Sequence, residues 1–250
     1  MAELIINNCT IHYRVPSRTP PDAKAVVCLH GSGADSIVWS TQISRLRRHY
    51  TIIVPDLPGH GRSEGSTLQS AAEYACWLEA FTRALGLEHF FLMGHSFGGA
   101  IAQEYVRMHP NHIAGLVLIG TGTRFKFSEK YRELVEKNLD PEDPSVKQQL
   151  PENFCEAFTF LKENSSPALH ADLLAAGRFD SREWISTITA PTLVMRGAND
   201  YVTPPDMPVE LAAMLPHAEL AIIKDAGHVV MLEARDEFNE RVSTFFESCL

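Results

Sequence analysis

The sequence predicts an α/β protein in which a mostly parallel, eight-stranded sheet is covered by helices on both faces. Short runs of β-branched and other apolar residues alternate along the chain with segments whose apolar residues recur at helical spacing. The runs lack the alternating polar residues of a sheet with one wet face, so the strands are expected to be buried on both faces. A chain of 250 residues is long enough for one such sheet, its helices and an insertion.

Six apolar runs are predicted to form the central strands of the sheet. They span residues 25–29, 51–54, 90–93, 116–119, 192–195 and 220–223. Ahead of them, residues 4–6 and 11–15 predict a short antiparallel hairpin that turns over Asn7 and Asn8.

Three helices are predicted around these strands. The first carries apolar residues at helical spacing, begins near Thr67 and ends at Gly86. The second begins at Ser96 and must stop by Pro110, because proline cannot continue a helix. The third covers residues 230–246 and closes the chain.

Residues 121–187 interrupt the alternation of strands and helices. This segment is rich in Glu and Lys, contains four prolines and has a helical rather than a strand pattern. We expect it to be a helical cap inserted over the edge of the sheet. The core would then comprise residues 1–120 and 188–250.

The composition disfavours several kinds of partner. The formal net charge is -9 and no cluster of Lys and Arg is present, so a nucleic-acid partner is not expected. The N-terminus lacks a signal-peptide pattern, and no apolar run is long enough to span a membrane. The expectation is a soluble, cytoplasmic protein with no membrane partner, whose oligomeric state, monomer or homodimer, is left open.

Metal and nucleotide sites lack their usual motifs. The five cysteines are scattered without a C-x-x-C pair, which favours reduced thiols. The chain has neither the H-E-x-x-H pattern of zinc hydrolases nor the G-x-x-x-x-G-K-[ST] phosphate loop. No metal and no other cofactor is expected.

Residues 94–98 read Gly-His-Ser-Phe-Gly and match the G-x-S-x-G pattern of a nucleophilic serine on a sharp turn. The pattern follows the predicted strand 90–93 and opens the predicted second helix, as this motif requires. Glycine two residues before and two after the serine leaves room for the tight turn. A Gly-rich turn without chemistry is the alternative interpretation. Ser96 is the candidate nucleophile.

With this motif the chain resembles the α/β-hydrolase superfamily, and the resemblance covers nearly all of the sequence. His30 and Gly31 stand at the end of the first central strand, where family members carry a His-Gly pair. The resemblance implies that the backbone N–H groups of Ser32 and Phe97 form an oxyanion hole.

A second stretch supports the same resemblance. Residues 56–63 read Asp-Leu-Pro-Gly-His-Gly-Arg-Ser and match a turn that family members carry after the next strand. Asp56 and His60 within it are interpreted as structural residues.

The resemblance also implies which residues activate the serine. His228 follows the last strand, at the loop where the family carries its base. Residues 197–204 match the run G-x-x-D-x-x-x-P, which makes Asp200 the candidate acid that orients the histidine. Asp225 remains a rival for that position. The order Ser96, Asp200, His228 is the one this fold uses.

These residues imply a serine hydrolase that cleaves an ester or lactone of a small apolar molecule. One alternative is an enol-lactonase or a carbon-carbon bond hydrolase of aromatic degradation. Another is a ligand receptor on the same fold with slow or no turnover. Five apolar residues are predicted to contact the substrate: Phe125, Phe127, Phe158, Trp184 and Val202.

Overall fold

The computed structural model describes residues 1–20, 22–126, 143–148 and 168–250, and elements are numbered within these ranges. The strands are β1 Ala2–Ile6, β2 Cys9–Arg14, β3 Ala25–Leu29, β4 Thr51–Pro55, β5 Phe90–His95, β6 Ile113–Ile119, β7 Thr192–Gly197 and β8 Ala218–Ile223. They form one sheet in the order β1-β2-β4-β3-β5-β6-β7-β8. β2 is antiparallel to both β1 and β4, and all the other neighbours are parallel. The predicted mostly parallel, eight-stranded sheet is confirmed.

Helices cover both faces of this sheet. They are α1 Ser40–Leu46, α2 Ala71–Ala84, α3 Phe97–Met108, α4 Pro144–Lys147, α5 Leu169–Gly177, α6 Asp206–Met214, α7 Val230–Glu233 and α8 Arg235–Ser248. The apolar cluster on one face includes residues of α2, α3, α5 and α6, and the cluster on the other includes residues of α1, α7 and α8.

The run 220–223 was predicted to be central, but it belongs to β8, which lies at the edge of the sheet and exposes Ile222. The strand β5 shows why the runs inside the sheet are apolar at every position. Phe90 and Leu92 belong to the cluster under α2 and α3, whereas Phe91 and Met93 belong to the cluster under α1 and α8. Successive side chains of a strand point to opposite faces, and here both faces are covered. A polar residue at any of these positions would therefore be buried.

The entry hairpin turns as predicted. Asn7 and Asn8 have φ values of 50° and 63°. Two consecutive residues with positive φ match the twist of a two-residue hairpin turn, and asparagine tolerates this conformation better than most residues.

The start of α2 differs from the prediction. The capping residue is Ser70, three residues after Thr67, and its side-chain oxygen accepts a hydrogen bond from the Glu73 amide at 3.2 Å. The Glu73 carboxylate in turn accepts a hydrogen bond from the Gln69 amide at 3.0 Å. This pairing satisfies N–H groups at the start of the helix that would otherwise lack partners. The helix therefore begins directly after Ser70.

The closing helix is divided in two. Residues 230–246 were predicted as one helix, but Ala234 has φ -120° and ψ 47° and separates α7 from α8. Neither glycine nor proline marks this break in the sequence, so the pattern alone does not indicate it.

The described part of the predicted cap comprises residues 121–126, 143–148 and 168–187 and includes α4 and α5. The predicted substrate contacts Phe127 and Phe158 lie outside the described residues. Within the described ranges, no helix is both long enough and apolar enough to cross a membrane.

We expect Ser70→Ala to lower the free energy of unfolding by about 1 kcal/mol, because it removes the side-chain acceptor for the Glu73 amide. Thr67→Ala, three residues upstream, should change it by less than about 0.5 kcal/mol. Urea denaturation of the two variants measures both values. A larger loss for Thr67→Ala than for Ser70→Ala would contradict the observed start of α2.

Candidate active site

The candidate site residues follow four parallel strands at the same edge of the sheet. The loop after β3 carries Ser32, and Ser96 follows β5 directly. Asp200 lies in the loop after β7, and His228 lies in the loop after β8. The carboxyl edge of a parallel sheet is where such loops meet.

Ser96 joins β5 to α3 in a strained backbone conformation. Its φ is 53° and its ψ is -120°, a region that residues with a side chain seldom adopt. Two backbone hydrogen bonds hold it there. The Ser96 amide donates to the Ile119 carbonyl at 2.8 Å, and the Ser96 carbonyl accepts from the Gly99 amide at 2.9 Å.

The two motif glycines are required by close backbone contacts. A Cβ atom on Gly94 would collide with the Gly98 carbonyl group. A Cβ atom on Gly98 would lie 2.5 Å from the His30 carbonyl oxygen. The start of α3 is therefore pressed against both its own strand and the end of β3, which explains the spacing of the motif.

The loop after β3 passes directly over the serine. A Cβ atom on Gly31 would lie 3.0 Å from Ser96 Cβ. Ser32 follows Gly31, and Phe97 follows Ser96, so both predicted oxyanion donors adjoin this contact. Within the described ranges, neither the Ser32 nor the Phe97 amide N–H has a hydrogen-bond acceptor. For Phe97 this follows from its place as the first residue of α3.

His228 and Asp200 are joined by a hydrogen bond. His228 Nδ1 lies 2.9 Å from Asp200 Oδ2. Since a carboxylate oxygen accepts, Nδ1 carries the hydrogen, and Nε2 is left without a proton when the ring is neutral. Within the described ranges, Nε2 makes no hydrogen bond.

Asp200 is held as a buried carboxylate. It is only 3% exposed, and its Oδ1 accepts hydrogen bonds from the Val202 and Thr203 amides, each at 2.9 Å. Burial opposes ionisation, but the charge and hydrogen bond of His228 and the bonds from Thr203 outweigh it, lowering the pKa of Asp200 to about 2. Asp200 is therefore ionised at neutral pH.

The rival acid, Asp225, makes no hydrogen bond to the histidine ring, whose Nδ1 is bonded to Asp200. It is exposed, has a φ of 55° and makes no side-chain hydrogen bond to any described residue. The structure brings Asp200, rather than Asp225, to His228.

Residues 119–120 and His95 lie close to both Ser96 and His228. Ile119 accepts the hydrogen bond from the Ser96 amide, and a Cβ atom on the next residue, Gly120, would lie 3.1 Å from His228 Cε1. His95, adjacent to Ser96, lies with its ring centroid 4.7 Å from that of His228. Ser96 Oγ makes no hydrogen bond within the described ranges, and such contacts often tighten only when substrate binds.

The fold, with candidate site residues at the carboxyl edge of the sheet, agrees with the comparison to known families. Residues 26–241 match the model of the alpha/beta hydrolase family. The chain belongs to that family.

Two esterases are among the proteins that this α/β hydrolase resembles. It is 28% identical over 249 residues to a pimeloyl-[acyl-carrier protein] methyl ester esterase of Proteus mirabilis (strain HI4320), covering 90% of this chain and 92% of the relative. It is 27% identical to a thermophilic esterase of known structure, with a TM-score of 0.79, covering 99% of this chain and 97% of the other. These relatives support hydrolase activity.

A third likeness concerns the fold. The enol-lactonase from Burkholderia xenovorans LB400 is 21% identical to this chain, with a TM-score of 0.79 and coverage of 98% of this chain and 100% of the other. Both chains therefore share the architecture of the α/β hydrolases.

His95 is a site residue that the sequence analysis missed. Its Nε2 donates a hydrogen bond to the His228 carbonyl at 2.9 Å, which anchors the loop of the candidate base. Burial, followed by the charge of His228, lowers the pKa of His95 to about 3, so the ring stays neutral. His95 occupies an unconstrained position of the G-x-S-x-G pattern, and no signal in the sequence distinguishes it.

Two further side chains hold the loops of the α/β hydrolase site. The Glu233 carboxylate accepts hydrogen bonds from the Gly227 and Val229 amides, on either side of His228. The buried guanidinium of Arg196 donates to the Asp200 carbonyl at 3.0 Å. Both contacts join residues close in sequence, but charged residues near a loop are too common to predict them.

The described substrate candidates occupy different surroundings. Phe125 is buried beside Phe179, with ring centroids 6.4 Å apart. The Trp184 ring lies under the Arg107 guanidinium at 5.1 Å, near the end of α3 that is remote from Ser96. That position of Trp184 does not favour a substrate contact. Val202 is half-buried, and its amide donates a hydrogen bond to the Asp200 carboxylate.

One group of side chains in the described ranges has metal-ligand geometry. The ligand atoms of Glu79, His109 and His112 lie within 4.8 Å of one another. The Tyr105 hydroxyl, however, lies 3.1 Å from His112 Nδ1 and forms a hydrogen bond with it. The group joins α2 to the far end of α3, away from Ser96, and a hydrogen-bond network accounts for it.

We expect Ser96→Gly to be more stable to unfolding than Ser96→Ala by about 1 kcal/mol. Both variants remove the hydroxyl group, but only glycine adopts φ 53° without strain. Urea denaturation of the two proteins measures the difference. Equal stability, or a more stable alanine variant, would show that the turn stores no strain.

Stability should fall on mild acidification. The pKa of His95 is lowered to about 3 and that of His30 to about 4, both chiefly by burial, whereas an unfolded histidine titrates near 6.5. The unfolded chain therefore binds more protons, so the stability from these neutral rings is complete above about pH 6.5 and is lost as the pH falls towards 4.

His95→Asn should flatten this dependence by about 1.4 kcal/mol per pH unit near pH 5, the value for one proton. Urea unfolding at several pH values between about 4 and about 6.5 measures this slope. The matched control is His89→Asn, since His89 is exposed on the surface. An unchanged slope in His95→Asn would show that His95 is already protonated in the folded protein.

Proposed function

We propose that this α/β hydrolase is a serine hydrolase that cleaves a carboxylic ester or a related acyl bond of a small, apolar substrate. The observation that carries the proposal is the 2.9 Å bond between His228 Nδ1 and Asp200 Oδ2, beside the strained turn at Ser96. The proposed triad is Ser96, His228 and Asp200. Its reaction uses protein groups and water, with no cofactor.

In the first half of the proposed reaction, His228 Nε2 takes the proton of Ser96 as Oγ attacks the carbonyl carbon. The resulting imidazolium gives that proton to the leaving alkoxide, and the acyl group stays on Ser96 Oγ. The ionised Asp200 supports this step, because it keeps Nδ1 as the donor and stabilises the imidazolium.

In the second half, His228 takes a proton from water as the water oxygen attacks the acyl carbon. The imidazolium then returns a proton to Ser96 Oγ, and a carboxylic acid leaves. His95 and Glu233 support both halves, because they hold the backbone on either side of the histidine in one position.

The Ser32 and Phe97 amides are the proposed oxyanion hole. Both adjoin the contact between Gly31 and Ser96, and neither has an acceptor among the described residues. Charge develops on the substrate oxygen in each tetrahedral intermediate, and a fixed N–H donor there is worth about 3 to 4 kcal/mol of barrier. Since the donors belong to the backbone, side-chain changes at these positions leave them in place.

The chemical class of the substrate is inferred from two sources. The relatives include a methyl ester esterase and a thermophilic esterase, which favour a simple ester. Residues 121–187 remain the proposed cap over a core of residues 1–120 and 188–250, and their apolar residues, Phe125, Phe127 and Phe158 among them, favour an apolar acyl or alcohol group. Val202 lies in the same loop as Asp200, at the same edge of the sheet.

We expect Ser96→Ala to lower kcat for a p-nitrophenyl ester by about 10⁵-fold or more, since it removes the nucleophile. Asp200→Asn should lower it by about 10⁴-fold, because the amide favours the wrong histidine tautomer. Steady-state hydrolysis measures both. Ser66→Ala, an exposed serine, is the control. Equal kcat in wild type and Ser96→Ala would remove Ser96 from the mechanism.

Covalent trapping separates the enzyme from a receptor on the same fold. A fluorophosphonate should add one phosphonyl group to Ser96 and none to Ser96→Ala, as intact-mass spectrometry would show. A protein that is trapped but does not turn over esters, enol-lactones or vinylogous diketones would favour the receptor. Turnover of the last two in preference to simple esters would favour the lactonase or carbon-carbon hydrolase.

A further inference from the structure

Asp172 is a completely buried carboxylate that the proposed reaction does not use. It lies on α5, in the segment between β6 and β7, and its side chain has no exposed surface. A buried charge is costly unless it is paired and hydrogen-bonded. The contacts that hold Asp172 therefore indicate what its position requires.

Three donors from three separate parts of the core converge on this carboxylate. Its Oδ2 accepts from the Gly33 amide at 2.9 Å and from His60 Nε2 at 2.8 Å, and its Oδ1 accepts from the Tyr74 hydroxyl at 3.1 Å. Gly33 belongs to the loop after β3, His60 to the loop after β4, and Tyr74 to α2. One side chain thus joins three elements of the core.

His60 supplies the compensating charge. Its Nδ1 lies 3.0 Å from the Pro58 carbonyl and its Nε2 faces Asp172, so both ring nitrogens are placed to donate. Burial opposes the charged ring, but the hydrogen bond and charge of Asp172 prevail and raise the pKa of His60 above its ordinary value. The raised pKa favours the charged ring, which pairs with the buried Asp172 carboxylate.

Gly33 places this ion pair next to the proposed oxyanion hole. Ser32 lies between Gly31, which is packed against Ser96, and Gly33, whose amide is held by Asp172. Gly33 has a φ of 65°, so the chain turns sharply at this residue. Fixing the Gly33 amide fixes the peptide plane that follows Ser32. The Ser32 N–H lies in the preceding plane, whose Gly31 carbonyl accepts a hydrogen bond from His30 Nδ1 at 2.9 Å, so Ser32 is restrained on both sides.

We propose that Asp172 is a positioning residue for the oxyanion hole, which holds the Gly33 amide so that the Ser32 N–H faces the reacting oxygen. The inference rests on the proposed function, since it assumes that Ser32 donates to the oxyanion. Asp172 acts through Gly33 and Ser32 and does not touch the substrate. The segment between β6 and β7 thereby contributes to the catalytic geometry as well as to substrate contacts.

Two substitutions of similar size at Asp172 distinguish the effect of losing a hydrogen-bond acceptor from the effect of changing the volume of the side chain. Asp172→Leu removes both acceptors. Asp172→Asn keeps one, because its amide oxygen can face Gly33 while its NH₂ group faces the Tyr74 oxygen. Tyr74→Phe removes one hydrogen bond to the same carboxylate but leaves the Gly33 contact intact. If Asp172→Leu does not fold, Asp172→Ser replaces it, since the shorter hydroxyl cannot reach Gly33 but admits water beside His60.

The readout is the ratio of kcat/KM for an ester to that for the matching thionoester, in which sulfur replaces the carbonyl oxygen. Sulfur is a weak hydrogen-bond acceptor, so a working oxyanion hole favours the ester. Damage to the hole lowers this ratio, whereas a loss of folded protein lowers both rates equally. Circular dichroism and thermal unfolding establish that each variant is folded.

We expect Asp172→Leu, or Asp172→Ser in its place, to lower kcat and the ester to thionoester ratio by about 10-fold to 100-fold, with KM changed by less than about threefold. Asp172→Asn should keep most of the wild-type ratio, and Tyr74→Phe should lower the melting temperature without changing the ratio. That pattern supports the proposal.

Three results would overturn it: an unchanged ratio in folded Asp172→Leu or Asp172→Ser, an equal fall in Tyr74→Phe, or an equal fall in Asp172→Asn. An equal fall in Tyr74→Phe would assign the loss of activity to general packing, and an equal fall in Asp172→Asn would assign it to the lost negative charge. Ser96→Ala is assayed in parallel. If it retains wild-type turnover, the serine mechanism itself fails, whereas loss of turnover with an unchanged ratio in the Asp172 variants overturns only the positioning role.

Discussion

Close contact between backbone segments at the carboxyl edge of the sheet is the constraint on which the site depends. Gly31, Gly98, Gly120 and Gly197 each stand where a Cβ atom would press against the backbone or side chain of another site element. Their absence of side chains lets four loops approach one another within van der Waals distance. Ser96 adopts its strained conformation inside this frame because neighbouring backbone groups hold it on both sides.

Within this frame, surroundings assign different protonation states to chemically identical side chains. His30 and His95 are buried without a carboxylate partner, and burial keeps them neutral. His60 is equally enclosed but faces Asp172, which favours its charged form. His228 alone of the four combines a buried carboxylate on one nitrogen with a free second nitrogen among the described residues. Burial and partner, rather than residue type, distinguish a candidate base from structural histidines.

The sequence predicts most of the fold because its patterns are local. Six of the eight strands are short apolar runs, and the Ser96 turn is marked by glycines two residues before and two residues after the serine. Asp200 and His228 were predicted only through resemblance to a family, since 28 residues separate them. His95, Glu233 and Asp172 were missed, because each acts through a hydrogen bond to a backbone group that carries no sequence signal.

The role of Asp172 follows from the same distinction between local and distant contacts. Gly33 and Asp172 are 139 residues apart, yet their hydrogen bond lies one residue from a proposed oxyanion donor. Within the loop itself, His30 Nδ1 holds the Gly31 carbonyl at 2.9 Å, in the peptide unit that carries the Ser32 N–H. The next peptide unit, with the Gly33 amide, is held by Asp172 from outside the loop. A buried carboxylate suits this purpose, since it accepts several hydrogen bonds at once and an imidazolium can neutralise it. The two peptide planes beside Ser32 are therefore held by one group from within the loop and by one group from a distant segment.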